Sequence, residues 1–190
     1  MARGKRDPES DDRLRAGDEI MAQEVEDGLS ELRRPARGLA ISGLSAGLDV
    51  SFGVILMATA YTSLEGVLDP GVIHLVAGNL YAVGFIFVIL GRSELFTEHT
   101  TLAVFPVLVG KADVLELGRL WSIVWFTNVA GAAIFAALGA GLGLRLGFAD
   151  AAAFGVLGSA LVGPEWYLIF GSAVLAGWLM GPVSYTHLRA

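Results

Sequence analysis

Four ionisable side chains stand where the surrounding chain leaves little room for them: Arg92, Glu94, Glu98 and His99, in the run GRSELFTEHTTLAVFP from Gly91 to Pro106. On either side, Val72 to Leu90 and Leu102 to Gly110 are almost wholly apolar. Two carboxylates and an imidazole could hold a metal ion, move a proton or help handle a small charged solute. Spacing narrows the choice. Di-metal carboxylate sites need Glu-x-x-His twice, on helices that project inward. Here Glu98 and His99 are adjacent, about 100° apart on a helix, with no second copy. A serine hydrolase is set aside as well, because no serine and histidine are paired within the apolar segments. The expectation is a chain that is not an enzyme and holds no cofactor or metal.

Composition points to lipid as the solvent. The chain has 190 residues, 54% of them hydrophobic, and a mean hydropathy of +0.63, above what a soluble domain shows. Eight of the 13 Lys and Arg and ten of the 19 Asp and Glu precede Gly38. The net charge of −6 therefore describes one end of the chain, and the interleaved signs there form no basic face for nucleic acid. With no cysteine, disulfides, thiolate metal sites and cysteine nucleophiles are excluded together. No apolar signal segment opens the chain, so insertion is expected to use the first span.

The elements that must position the charged run follow from apolar length. Gly38 to Tyr61 spans roughly 36 Å as a helix, enough for a hydrocarbon core of about 30 Å. Val72 to Leu90 and Leu120 to Leu144 are also long enough, and a fourth span is expected from Trp166 to Met180. Ala151 to Leu161 reads as a helix at the outer interface. Gly43/Gly47 and Gly139/Gly143 are GxxxG pairs that let backbones approach. Asp49, near the middle of the first span, must face protein or water, either as a structural hydrogen-bonding group or on a permeation path. Before the spans, Ile20, Met21, Val25, Leu29 and Leu32 recur at helical spacing among charges, predicting a surface helix that is docked on its own protein or acts as a cytoplasmic gate. His74 reads as an interfacial residue. Arg33, Arg34, Arg37, Lys111 and Arg119, against a loop from Thr62 to Gly71 that has no basic residue, place the N-terminus in the cytoplasm, with Arg145 the one opposing charge.

Leu102 to Gly110 is roughly 14 Å of helix, too short to cross alone. Either it follows an ordinary cytoplasmic loop, or it completes a discontinuous helix broken over Gly91 to Thr101. Irregular backbone at membrane depth must be buried in protein or line a water-filled cavity. A half-helix N-terminus near Thr101 would favour an anion.

At these residues the chain resembles the formate/nitrite transporters. GNLYAVGFIFVILGRSELFT is similar to that family's second helix and its Ω loop, whose mark is a small residue, an acid, then Leu-Phe-Thr: here Ser93, Glu94, Leu95, Phe96 and Thr97. LWSIVWFTNVAGAAIF is similar to the third helix with its Asn-x-x-Gly, here Asn128 and Gly131, and GLSAGLDVSFG to the first. The resemblance covers Gly38 to Met180. It implies an all-α, polytopic, aquaporin-like membrane bundle with a discontinuous second helix. It also implies a homopentamer in the bacterial inner membrane with a pore in each protomer for small monovalent anions such as formate or nitrite. Carried over, the outer constriction falls at Tyr81 and Phe85 and the inner at Leu95, Phe96 and Thr97, with Glu94, Glu98, His99, Asp49 and Asn128 along the pathway. Departures from the pattern are Arg92 where glycine is usual, Glu98 after Thr97, and Gly177 where the fourth helix carries asparagine.

The organisation expected is a cytoplasmic segment over 1–37, a membrane domain over 38–182 containing about four of the family's six spans, and a polar tail over 183–190 that reads as non-native. On this reading the rest of the fourth span, two further helices and a central histidine are missing. Partners are the bilayer and a small anion. A non-transporting membrane scaffold, partnered through the N-terminal helix, is the first alternative, and an intramembrane metal-site protein the second.

Overall fold

A computed structural model describes the backbone of residues 8–187 and the side chains of 19–179. All regular structure among the described residues is helical: α1 Pro8–Leu32, α2 Ala36–Leu64, α3 Pro70–Gly91, α4 Phe96–Leu108, α5 Val114–Leu146, α6 Ala151–Val162 and α7 Trp166–His187. Three of these, α2, α3 and α5, are each long and apolar enough to cross a membrane, and α6 with α7 makes a fourth such unit bent by 88°.

Helix α2 is the hub, packed between α3 and α5. Small residues make both crossings close. A Cβ on Gly47 would lie 2.2 Å from the Asn128 carbonyl oxygen, and one on Gly131 would lie 2.3 Å from that of Leu44, so α2 and α5 touch through backbone. Gly53 and Gly84 do the same between α2 and α3. In lipid, where no hydrophobic force drives helices together, such contact is a main source of association. Helix α5 begins at Val114, six residues before the expected Leu120, because Asp113 and Glu116 form a capping box that starts the helix in polar sequence.

Three boundaries differ from expectation. The irregular stretch is four residues, 92–95, rather than Gly91 to Thr101: the N–H groups of Glu98 and His99 bond the Leu95 carbonyl, so Leu95 caps α4 and Glu98 and His99 are helical. The half-helix N-terminus is thus at Phe96, not near Thr101, and α4 has 13 residues, or roughly 20 Å. Helix α7 continues past Met180 to His187. The side chains of residues 180–190, on which the reading of 183–190 as a foreign tail bears, lie outside the described residues, as does the side chain of His187.

The N-terminal helix is docked on its own protein. Val25 and Leu32 are buried, and the absent Cβ of Gly28 admits Leu102 O and Pro106 of α4, the nearest at 2.5 Å. Leu32 joins Leu39, Ala103, Leu117, Leu120 and Val124 in the largest buried cluster, tying α1 to α2, α4 and α5. Glu24 on α1 is buried with Oε1 lacking a hydrogen-bond partner among the described residues. Burial, with Asp27 adding to it, raises its pKa above the ordinary carboxylate value.

Candidate functional site

The break between α3 and α4 is built from the end of α3 outward. Arg92 takes the left-handed conformation (φ 49°, ψ 43°), and its N–H donates to Ile89 O while that of Ser93 donates to Val88 O. This is a Schellman ending, normally turned on glycine. Ser93, Glu94 and Leu95 then run into the protein, at 5%, 3% and 8% exposure. Their polar groups must find partners inside, since water is excluded.

They do. Ser93 Oγ donates to Asp49 Oδ2 at 3.1 Å, and Glu94 N donates to Ser42 Oγ at 3.1 Å. Asn128 closes the rest: its Nδ2 donates to Gly43 O (2.8 Å) and Glu94 O (2.9 Å), and its Oδ1 accepts from Phe96 N (2.9 Å). One amide on α5 therefore joins α2, the break and the start of α4. In the first turn of α4, the Thr97 N–H has no acceptor among the described residues, and the Thr97 side chain is exposed.

The buried Glu94 carboxylate pairs with Arg34 and, through Oε2, with His99 Nε2. Arg34 Nη1 also meets Glu31 Oε2 at 2.9 Å. Arg119 holds the turn beneath, donating to Arg34 O at 3.1 Å. Partial burial works against the Arg34 charge, but the hydrogen bond to Glu31 and the Glu94 charge outweigh it and raise its pKa above the ordinary value. Glu31, Glu94 and His99 bring possible ligand atoms within 4.8 Å of one another, a donor set that would suit a divalent metal. The guanidinium of Arg34 lies between the two carboxylates and already supplies the positive charge. These groups, with Arg92, Ser93 and Glu98, line a cavity of about 530 Å³.

Of the residues singled out in the sequence, Asp49, Glu94, Glu98, His99 and Asn128 come together around the break. Leu95 packs with Ala46 and Val88, and Phe85 lies against that cluster. Tyr81 stands one turn away, edge to face with Phe85 at 5.4 Å. Phe96 turns the other way, edge to face with Trp121 at 6.3 Å, so Leu95 and Phe96 occupy different packing environments. His74 is exposed and contacts the Tyr61 hydroxyl at 3.1 Å.

Sequence reasoning missed Glu31, Ser42 and the pairing role of Arg34. It also passed over Gly43 to Gly47, GLSAG, whose letters match a hydrolase nucleophile elbow. That motif requires a sharp strand-to-helix turn, whereas these residues lie inside continuous helix α2.

A family model described as Formate/nitrite transporter matches residues 18–190. The chain is 37% identical over 139 residues to inner membrane protein YfdC of Escherichia coli (strain K12), covering 70% of this chain and 43% of that protein. It is 36% identical over 104 residues to nitrite transporter NirC of the same organism, covering 53% and 36%. Formate channel FocA of Haemophilus influenzae is 31% identical over 98 residues, covering 52% and 34%. Among solved structures, an FNT family ion channel superposes with a TM-score of 0.54 at 28% identity, covering 63% of this chain and 48% of that one. The chain thus spans less than half the length of the curated relatives it matches.

Proposed function

The chain belongs to the formate/nitrite transporter family, and from that premise we propose that the intact protein carries small monovalent anions, of the formate and nitrite kind, across the bacterial inner membrane. In this reading each protomer of a homopentamer has its own pore, and the N-terminus is cytoplasmic. The observation that carries it is the α3–α4 break, whose backbone is held by Ser42 and Asn128 and whose Ser93 side chain is held by Asp49, rather than by regular structure. Fixing an irregular segment this thoroughly within an apolar bundle is what a solute-handling element needs.

The residues divide the work. Tyr81 with Phe85 forms one apolar constriction and Leu95, packed beside Phe85, narrows the path at the break, while Phe96, turned toward Trp121, stands outside it; at these narrowings an anion sheds water. The exposed Thr97 then offers a hydroxyl and an unbonded N–H at the positive end of α4. Asn128 and Asp49 act as positioning residues, because the bonds described above hold them to the break. Glu94 is held by Arg34 and His99, so its charge shapes the loop rather than meeting the solute. Protonation to a neutral acid would lower the crossing barrier, because a bare anion is far harder to bury than its acid.

The test is flux of formate and of nitrite into liposomes containing the intact protein, against protein-free vesicles. Saturable uptake is expected for at least one of the two anions. Uptake of neither, with folded and reconstituted protein, would overturn the reading in favour of a scaffold.

A further inference from the structure

Chain reversals in this protein that need a left-handed residue use glycine at Gly66, Gly110 and Gly147, with φ of 74°, 72° and 76°. Among the described residues only Arg92, at φ 49°, takes that conformation with a side chain. A Cβ there is unfavourable where glycine would be relaxed, and strained backbone points to a function for the residue that holds it. The surroundings indicate which function. In the cavity beside the break, Arg34 is committed to Glu31 and Glu94, and Glu94 also to His99. Arg92 lines the same cavity, is exposed, and makes no ion pair with a carboxylate among the described residues. Three carboxylates, Glu31, Glu94 and Glu98, face this space together with Arg34 and His99, but Arg34 and His99 are both paired with Glu94, so among the described residues Arg92 is the cation on this wall left open to an anion.

We propose that Arg92 is the residue that captures the anion from water and sets a preference for planar, two-oxygen anions. The proposal rests on the anion-transport reading above and deepens it. A guanidinium offers parallel N–H groups that match the two oxygens of formate or nitrite, whereas a spherical or one-atom anion can use only its charge. The αL turn carries Arg92 out of the α3 ladder to the cavity wall, one residue before the chain enters the protein at Ser93. Capture therefore occurs beside the constriction at Leu95 and ahead of the exposed Thr97.

Two measurements test this in the intact protein. In liposomes, Arg92→Gly should relax the backbone and raise the thermal midpoint. It should also raise the half-saturating concentration of formate about fivefold, the effect of removing one unit charge near a hydrated solute, with the maximal rate little changed. Arg92→Lys should restore most of the affinity but lose the preference for formate over chloride. In the wild type, phenylglyoxal should modify Arg92 faster than Arg34, and formate should protect Arg92 where formamide does not. Protection in a protein that shows no flux would overturn the transport reading and leave capture standing. Flux in which Arg92→Gly keeps the wild-type half-saturation, with no protection of Arg92, would overturn capture. A fall in maximal rate alone would also overturn it, since that is what a structural turn residue would produce.

Discussion

Thr97 and the Arg34–Glu94 pair make opposite predictions at the scale of single residues. Thr97 is exposed at the start of α4, and its hydroxyl can donate to an anion, which Val of similar shape cannot do. Thr97→Val is expected to slow anion flux about tenfold to a hundredfold, the rate equivalent of one hydrogen bond to a charge at roughly 1.5–3 kcal/mol. Its stability should hold. Wild-type flux in that variant would show Thr97 to be structural. Arg34→Ala should do the reverse, destabilising through the charge left on buried Glu94. Losing one partner of a buried pair costs about 3–5 kcal/mol. Because Arg34 is 34% exposed and His99 remains beside Glu94, a loss of about 2 kcal/mol is expected, read as a lower thermal midpoint in detergent. The double replacement Arg34→Met with Glu94→Leu should recover much of that loss. A single variant as stable as wild type would mean the pair contributes nothing. That the run around Glu94 is special was legible, because charge in apolar sequence is conspicuous. Its partner was not, since Arg34 lies 60 positions away and reads as one of several arginines flanking a span.

At the scale of elements, close helix contact and the depth of the break can be tested separately. A Cβ on Gly47 would press on the Asn128 backbone at 2.2 Å, and backbone cannot step aside as a side chain can. Gly47→Ala is expected to destabilise by about 1–3 kcal/mol through overpacking. Gly78→Ala, with nothing within 4 Å, should be neutral or mildly stabilising through helix propensity. Equal thermal midpoints for the two variants would refute the packing account. The break itself is buried by Ser93, Glu94 and Leu95. Since the chain has no cysteine, single thiols can be placed freely. A thiol at Leu95 should label slowly with a bulky impermeant reagent and one at exposed Lys111 quickly; equal rates would mean that 92–95 is an open loop. The GxxxG spacing in sequence identified small-residue faces but not which helices they join. Geometry sets Gly43 and Gly47 of α2 against α5 and Gly139 of α5 against Ile55 of α2, while Gly143 meets Phe148 and Ala149.

For the whole molecule, orientation is the property that charge distribution predicts. Arg33, Arg34 and Arg37 precede α2, Lys111 and Arg119 flank the start of α5, and the α2–α3 connection has Glu65 and Asp69 with no base, so the positive-inside rule puts the first two groups in the cytoplasm. In right-side-out vesicles a thiol at Glu65 should react with an impermeant reagent added outside, and one at Lys111 only after permeabilisation. The opposite pattern would invert the assignment and move the cavity at Arg92 to the outer side. Helix α1 constrains this further, because it packs on α4 beside Lys111 rather than standing free.

Apolar length determined the membrane spans from the sequence alone, since a helix must satisfy its backbone internally and a fixed thickness must be crossed. The interruption at Arg92 to Leu95 was legible for the same reason, though placed too widely. Propensity and charge could not show that Leu95 already caps a helix, which depends on its carbonyl accepting from Glu98 and His99. Tertiary structure decided what holds the break. Asn128 reaches it from 34 positions away, Ser42 from 52 and Arg34 from 60. Such pairings leave no periodic trace in a sequence, because each is fixed by where helices cross rather than by the local run of residues. The same crossing geometry directed Leu95 and Phe96, neighbours in the chain, to opposite sides of α4: the first onto α2 and α3, the second onto Trp121 of α5.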